Sequence, residues 1–421
     1  MTTATNAKTS RNIIFLVIVA ALGYFVDIYD LLVFAIVRIP SLKALGITDK
    51  DAITNDGHFI MNMQMFGLLL GGILWGVMGD KIGRIKVLFG SILLYSIANF
   101  ANGFIGSINL SFLNIDIVHT YGIIRFIAGI GLAGELGAGI TLVTETLSKE
   151  KRGYGTMIVA FIGLFGAAAA YFVSQYGWQK AYIIGGILGV LLLLLRLGTF
   201  ESGMYKNVEK TNVSKGNFFM LFTDFGRFKK YLYCILIGAP LWYVVGILVT
   251  NSPEFGVALG SKTTLSAGEG IYYTYLGIAI GDIFAGVLSQ VIKSRKITMV
   301  IFLLLSLISV ACYLNAKGLD SKQFIWLCFF MGCSVGYWAT FVTIAAEQFG
   351  TNIRATVATT APNFVRGSLI PITFAFDAFK AHYGMINSGY IMMAILTVIA
   401  LFSLSQLKET FGKDLDYLEI S

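Results

Sequence analysis

The residues of this chain most able to do chemistry are a few charges embedded in long apolar runs: Asp27, Asp30, Arg125, Glu135, Asp282 and Arg366. A charge inside a bilayer costs several kcal/mol unless it is paired or hydrated, so each marks a functional candidate. Asp27 and Asp30 are three residues apart and share one helix face with Tyr24 and Phe34. Asp30 and Arg125 lie at similar depths, roughly 10 Å and roughly 9 Å from the same end of their runs. A carboxylate near a guanidinium releases its proton easily, and one in a closed, dehydrated cavity keeps it, so such a pair can load and unload a proton. It could equally be a permanent salt bridge that fixes helix packing. Glu135, ten residues beyond Arg125 among glycines, is a further proton-site candidate or a carboxylate bonded to a neighbouring helix. Later in the chain, Asp282 and Arg366 can face each other, each about ten residues from the same end of its run. An arginine fork in a dry cavity suits carboxylate or phosphate groups, and Asn363 sits about one turn before it. Gln64, Trp242, Tyr243 and Trp338 complete the candidate lining, although isolated aromatics in such runs also serve as packing or as interface belt.

The elements that must hold these residues are membrane-spanning helices. Of 421 residues, 56% are hydrophobic and 13% charged, with a mean hydropathy of +0.77, which excludes a soluble protein with one buried core. Apolar stretches long enough to cross about 30 Å of hydrocarbon fall at about 13–37, 59–79, 86–107, 119–146, 153–175 and 179–199, and again at about 231–250, 268–292, 297–316, 323–348, 355–380 and 384–407. The division is an N-terminal six-helix bundle at 1–200, a polar central loop at 201–230 and a C-terminal six-helix bundle at 231–421. Lys and Arg number 20 on the side of both termini and 8 on the other, with Arg125, Arg196 and Arg366 inside spans, which accounts for all 31. The positive-inside rule then puts both termini in the cytoplasm of a bacterial-type inner membrane. The net charge of +8 reads as orientation and attraction to lipid headgroups, with no role for nucleic acid. The first span follows a short polar leader and is too long for a signal-peptide core, so it is expected to be retained. Cys234, Cys312, Cys328 and Cys333 all fall in spans without metal spacing and read as small buried hydrophobes.

Two internal echoes point to duplication. The run Gly76-Val-Met-Gly-Asp80-Lys81-Ile-Gly83-Arg84-Ile-Lys86 returns in degenerate form as Gly286-Val-Leu-Ser289-Gln290-Val-Ile-Lys293-Ser-Arg295-Lys296, and the pair Glu145 and Arg152 returns as Glu347 and Arg354. The first run resembles the loop signature between the second and third helices of the major facilitator superfamily. That resemblance covers essentially the whole chain and implies an all-α integral membrane fold of twelve transmembrane helices in two pseudo-symmetric six-helix bundles. Substrate then sits near the midplane between the halves, and access alternates as one half rocks against the other. Asp80, Arg84, Glu145, Arg152, Glu347 and Arg354 become gating residues at the cytoplasmic ends of spans. The echo carries Gln290 where the acid would be, so its clasp is expected to be weaker.

Within the superfamily, Arg125-Phe-Ile-Ala-Gly129-Ile-Gly131-Leu-Ala-Gly134-Glu135-Leu-Gly137 resembles the arginine-plus-glycine motif of proton-linked members. Glu347-Gln-Phe-Gly350-Thr-Asn-Ile-Arg354-Ala-Thr is similar to a pattern of the metabolite:proton symporter branch, with Gly350 where the branch has proline. Tyr24-Phe-Val-Asp27-Ile-Tyr29-Asp30-Leu resembles a motif of phosphate and aromatic-acid proton symporters. The expectation is a monomeric, proton-coupled importer of a small polar metabolite, carboxylate-bearing, with Asp27, Asp30 and Glu135 carrying protons. Tyr24, Gln64, Arg125, Asp282, Trp338, Asn363 and Arg366 are expected to meet substrate. No cofactor, metal site or enzymatic nucleophile is expected: no His-Glu-x-x-His or Gly-x-Ser-Gly occurs, and His58, His119 and His382 are scattered. An uncoupled facilitator, a sugar, polyol or osmolyte symporter, a drug antiporter and a nutrient sensor stay open as alternatives. The drug antiporter is disfavoured because the fifth span has no proline.

Overall fold

The computed structural model describes residues 2–82, 84–108, 113–135, 152–201, 218–412 and 419, with side chains described for these except 2–14, 79–86, 152–157, 198–201, 351, 352 and 355. Among them the helices of ten residues or more are α1 (Thr2–Ala44), α2 (Lys50–Ile82), α3 (Arg84–Gly103), α4 (Ile117–Leu132), α5 (Arg152–Ser174), α6 (Trp178–Glu201) and α7 (Phe225–Tyr243). They continue as α8 (Ala267–Ile292), α9 (Arg295–Asn315), α10 (Ser321–Val335), α11 (Trp338–Glu347), α12 (Thr351–Gly367) and α13 (Leu369–Gln406). No strand occurs among the described residues.

Eight stretches are long and apolar enough to span a bilayer, and Val87–Gly103, Ile117–Leu132 and Ile158–Ser174 are shorter apolar helices. One of the eight, Thr356–Gln406, runs for 51 residues, about twice what a bilayer needs. It is broken at Gly384, whose φ of 75° suits a residue without Cβ. Counted as two, it brings the total among the described residues to twelve, an even number that puts the start of α1 and the end of α13 on one face. That face is called near and the opposite one far.

Two departures from uniform helices shape the interior. α7 contains Pro240 and runs on into a π-helical turn, Val244–Val249, and such turns widen a helix and release backbone carbonyls. The tenth span, expected to be continuous over 323–348, is split into α10 and α11 at Gly336 and Tyr337. The break is capped: Asp282 on α8 accepts a hydrogen bond at 3.0 Å from the amide of Ala339 in the first turn of α11, where a carboxylate complements the helix dipole. Close approach elsewhere relies on small residues. A Cβ added to Gly129 on α4 would meet the backbone of Gln64 and Leu68 on α2, the small-residue contact that membrane helices favour.

On the near face, the segment after α13 ties the second bundle together. Glu409 accepts from the Ser294 hydroxyl at 2.5 Å and from the amides of Arg295 and Lys296 at 3.1 Å. Burial pushes its carboxyl upward, but Ser294 and the amides of Phe411, Lys296 and Arg295 outweigh this and bring it from 4.5 down to about 2. A depressed pKa contributes stability above its unfolded value that is lost as pH falls through the folded one. Glu409→Gln is therefore expected to lower the melting temperature of the solubilised protein near neutral pH. The gap to the parent should close as the pH drops from 4.5 toward about 2, readable by scanning fluorimetry.

Candidate functional site

Three buried acid–arginine pairs stand in a row along α1. At the outer level Arg125 binds Asp30 twice, Nη1 to a carboxylate oxygen at 3.2 Å and Nη2 to the backbone carbonyl at 2.9 Å. Nη1 also reaches Asn99 Oδ1 at 3.3 Å and Nε reaches Gln64 Oε1 at 3.3 Å, while Gln64 donates to the Leu31 carbonyl at 3.0 Å. Tyr182 lies 5.5 Å from the guanidinium and shares a hydroxyl hydrogen bond of 2.7 Å with Tyr121. Every nitrogen of Arg125 is thus engaged within the first bundle.

At the middle level Arg366 on α12 meets Asp27 at 3.5 Å, and this ion pair crosses between the two bundles. It corrects the pairing expected from sequence, in which Asp282 faced Arg366: Asp282 is turned to the start of α11 instead. Arg366 is only 1% exposed, yet among the described residues its Nε and Nη1 have no hydrogen-bond partner, nor does Asp27 Oδ1. Its guanidinium carbon sits 5.9 Å from the ring of Trp338, the first residue of α11. The inner level is the ion pair of Glu135 with Arg196 on α6, packed against Gly23. Arg196 was recognised in the sequence only as a charge within a span, with no partner assigned.

A small cavity opens at the middle level, with Tyr24, Trp242, Tyr275, Trp338 and Arg366 on its wall. Tyr275 was missed in the sequence because its run, Tyr272-Tyr273-Thr274-Tyr275, reads as interface belt. The other expected lining residues are committed elsewhere. Tyr243 donates to the Gly389 carbonyl at 2.7 Å, and Asn363 donates across the bundles to the Ala133 carbonyl at 3.1 Å.

Of the expected gating residues, the side chains of Asp80, Arg84 and Arg152 and the whole of Glu145 lie outside the described residues. Glu347 is held by Arg295 through two bonds of 2.6 and 2.8 Å and by the Thr410 hydroxyl at 2.7 Å. Arg295 belongs to the echo run, a partnership the sequence reading did not assign. Arg354 donates from Nε to the Phe349 carbonyl at 3.2 Å.

Twelve spans in two bundles around a central cavity walled by both define an integral membrane protein of the alternating-access type. The model of the Major Facilitator Superfamily matches residues 13–373, and the chain belongs to that family. It is 26% identical over 418 residues to a putative metabolite transport protein of Haemophilus influenzae, covering 94% of this chain and 96% of that one. It is also 26% identical over 440 residues to the niacin transporter NiaP of Acinetobacter baylyi, covering 94% of each. A D-xylose-proton symporter has the same fold, with a TM-score of 0.70 over 96% of this chain and 100% of that one at 19% identity. The protein is a multi-pass membrane transporter of small metabolites.

Proposed function

We propose that the protein is a proton-coupled symporter importing a small carboxylate across a bacterial inner membrane, with both termini cytoplasmic. The observation that carries this reading is Arg366: a guanidinium 1% exposed, on the cavity wall, with two nitrogens unpartnered. A buried cation with spare donors is costly until an anion completes it, and a planar fork is matched to a carboxylate. The aromatic wall of Tyr24, Trp242, Tyr275 and Trp338 suits a small ligand with an apolar body. Similarity to a niacin transporter supports the same class, since niacin is a flat monocarboxylate.

Coupling follows from what Arg366 already touches. Asp27 and the substrate carboxylate share the charge of one guanidinium, Asp27 at Nη2 and the anion at Nε and Nη1, so a proton on Asp27 leaves that charge to the anion. Asp30 and Glu135 are the neighbouring acids along the same helix contact, Asp30 held by the saturated Arg125 and Glu135 by Arg196. Arg125 and Gln64 then shape the first bundle, Asn363 joins the halves, and Tyr24, Trp338 and Arg366 meet substrate. Asp80, Arg84, Glu145, Arg152, Glu347 and Arg354 gate the cytoplasmic face, with Arg295 holding Glu347.

Uptake into proteoliposomes should rise with an inward-acid gradient and collapse on adding a protonophore. Asp27→Asn should abolish accumulation while leaving exchange of labelled for unlabelled substrate. Gradient-driven accumulation at the parent level in both Asp27→Asn and Asp30→Asn would remove the first helix from coupling.

A further inference from the structure

A second cross-bundle cluster lies away from the cavity, at the far face. His58 near the start of α2 is 7% exposed, with Nδ1 2.9 Å from Asp377 Oδ2 on α13. Its Nε2 is 3.0 Å from Asn251 Nδ2 and 3.3 Å from Asn251 Oδ1, at the end of the π-helical turn. One turn earlier on α2, the Thr54 hydroxyl donates to Glu254 Oε1 at 3.3 Å, and Arg38 of α1 binds the same oxygen at 2.6 Å. Arg38 and Thr54 belong to the first bundle and Glu254 to the second. The two ion pairs therefore fasten the bundles together side by side.

The two fastenings differ in one respect. One joins an arginine to a carboxylate, whereas the other rests on a histidine, the side-chain type that can change charge between about pH 5 and 8. Since an ionised Asp377 only accepts, His58 Nδ1 carries a hydrogen in either state. Nε2 is then the variable atom, and Asn251 suits both forms, its amide nitrogen donating to the neutral ring and its amide oxygen accepting from the charged one. Protonation costs no hydrogen bond and adds a full charge facing Asp377.

We propose that His58, Asp377 and Asn251 form a proton-sensitive latch that holds the far face shut more firmly in acid. The charge attraction to Asp377 exists only while the bundles are together, so proton uptake by His58 favours the shut arrangement and proton loss releases it. The other charged groups on these elements are Arg38 and Glu254 alongside, Asp51 and Asp56 on α2, and Lys380 one turn beyond Asp377. His119 of α4, whose ring lies 5.0 Å from Phe59, is paired with Asp116. The latch is separate from substrate recognition and does not depend on the ligand being an anion.

The test reads conformation rather than transport. Spin labels at Lys43→Cys and Lys317→Cys, both exposed and one in each bundle, with the exposed Cys312 replaced by serine, report the far-face distance in nanodiscs. Between about pH 8 and about pH 5.5, the ratio of short to long distances should rise about fivefold, the upper range for a partly exposed ion pair. His58→Gln keeps an amide hydrogen bond but cannot charge, and should flatten this dependence. Asp377→Asn keeps the histidine and removes its counter-charge, and should flatten it as well. A parent insensitive to pH, or a His58→Gln variant with the parent's full response, overturns the latch. If one variant fails to fold, the other decides.

Discussion

Arg366→Ala should abolish binding of the transported anion, and Arg366→Lys should weaken it at least about tenfold, roughly 1.4 kcal/mol. Lysine restores the charge but presents a point donor, where the guanidinium offers a planar pair of N–H groups matched to a carboxylate. The two unpartnered nitrogens, Nε and Nη1, are the ones an ammonium cannot reproduce. The variants also separate recognition from folding. Among the described residues Arg366 holds one ion pair, at 3.5 Å, so its loss should disturb the bundles less than loss of the saturated Arg125. Calorimetry on monodisperse protein gives the dissociation constants, and a lysine variant that binds a carboxylate as tightly as the parent would move the substrate contact elsewhere.

The second large effect concerns stability. Glu135→Ala removes the carboxylate that Arg196, 4% exposed, meets beside Gly23, and removing one partner of a buried pair costs roughly 3–5 kcal/mol. Replacing both, as Glu135→Gln with Arg196→Met, should recover most of that loss because the two buried charges are removed together. Denaturant unfolding in detergent should rank the parent and the double variant above Glu135→Ala. If the single variant is as stable as the parent, the Glu135–Arg196 pair is not what stabilises this level of the first bundle.

The fold was legible in the sequence because hydropathy and length alone dictate spanning helices, and the two echoes disclosed their repetition. The acids and arginines were legible for the same reason, since a charge stands out in an apolar run. Their pairings were not. Asp27 and Asp30 sit three residues apart on one face, yet one turns to Arg366 of the second bundle and the other to Arg125 of the first. That choice depends on how the bundles dock, which no local pattern encodes. The break before Trp338 was hidden because both halves of the tenth span are equally apolar. Its local sign is Gly336, and the carboxylate that caps it, Asp282, lies more than fifty residues earlier in the chain. His58 was passed over because histidine carries no spacing signature on its own, and its partners Asn251 and Asp377 lie in the other half of the chain.

The most direct measurement of the central claim is a thermal-shift panel on the purified protein, pairing small carboxylic acids, niacin among them, with their uncharged amides. With Arg366 as the anion's partner, at least one acid should raise the melting temperature well above its amide, more strongly at acid pH because Asp27 must be protonated for the anion to bind. The Arg366→Lys variant should lose that preference. Amides or sugars that stabilise the parent as well as any acid, with no dependence on pH, would contradict the account.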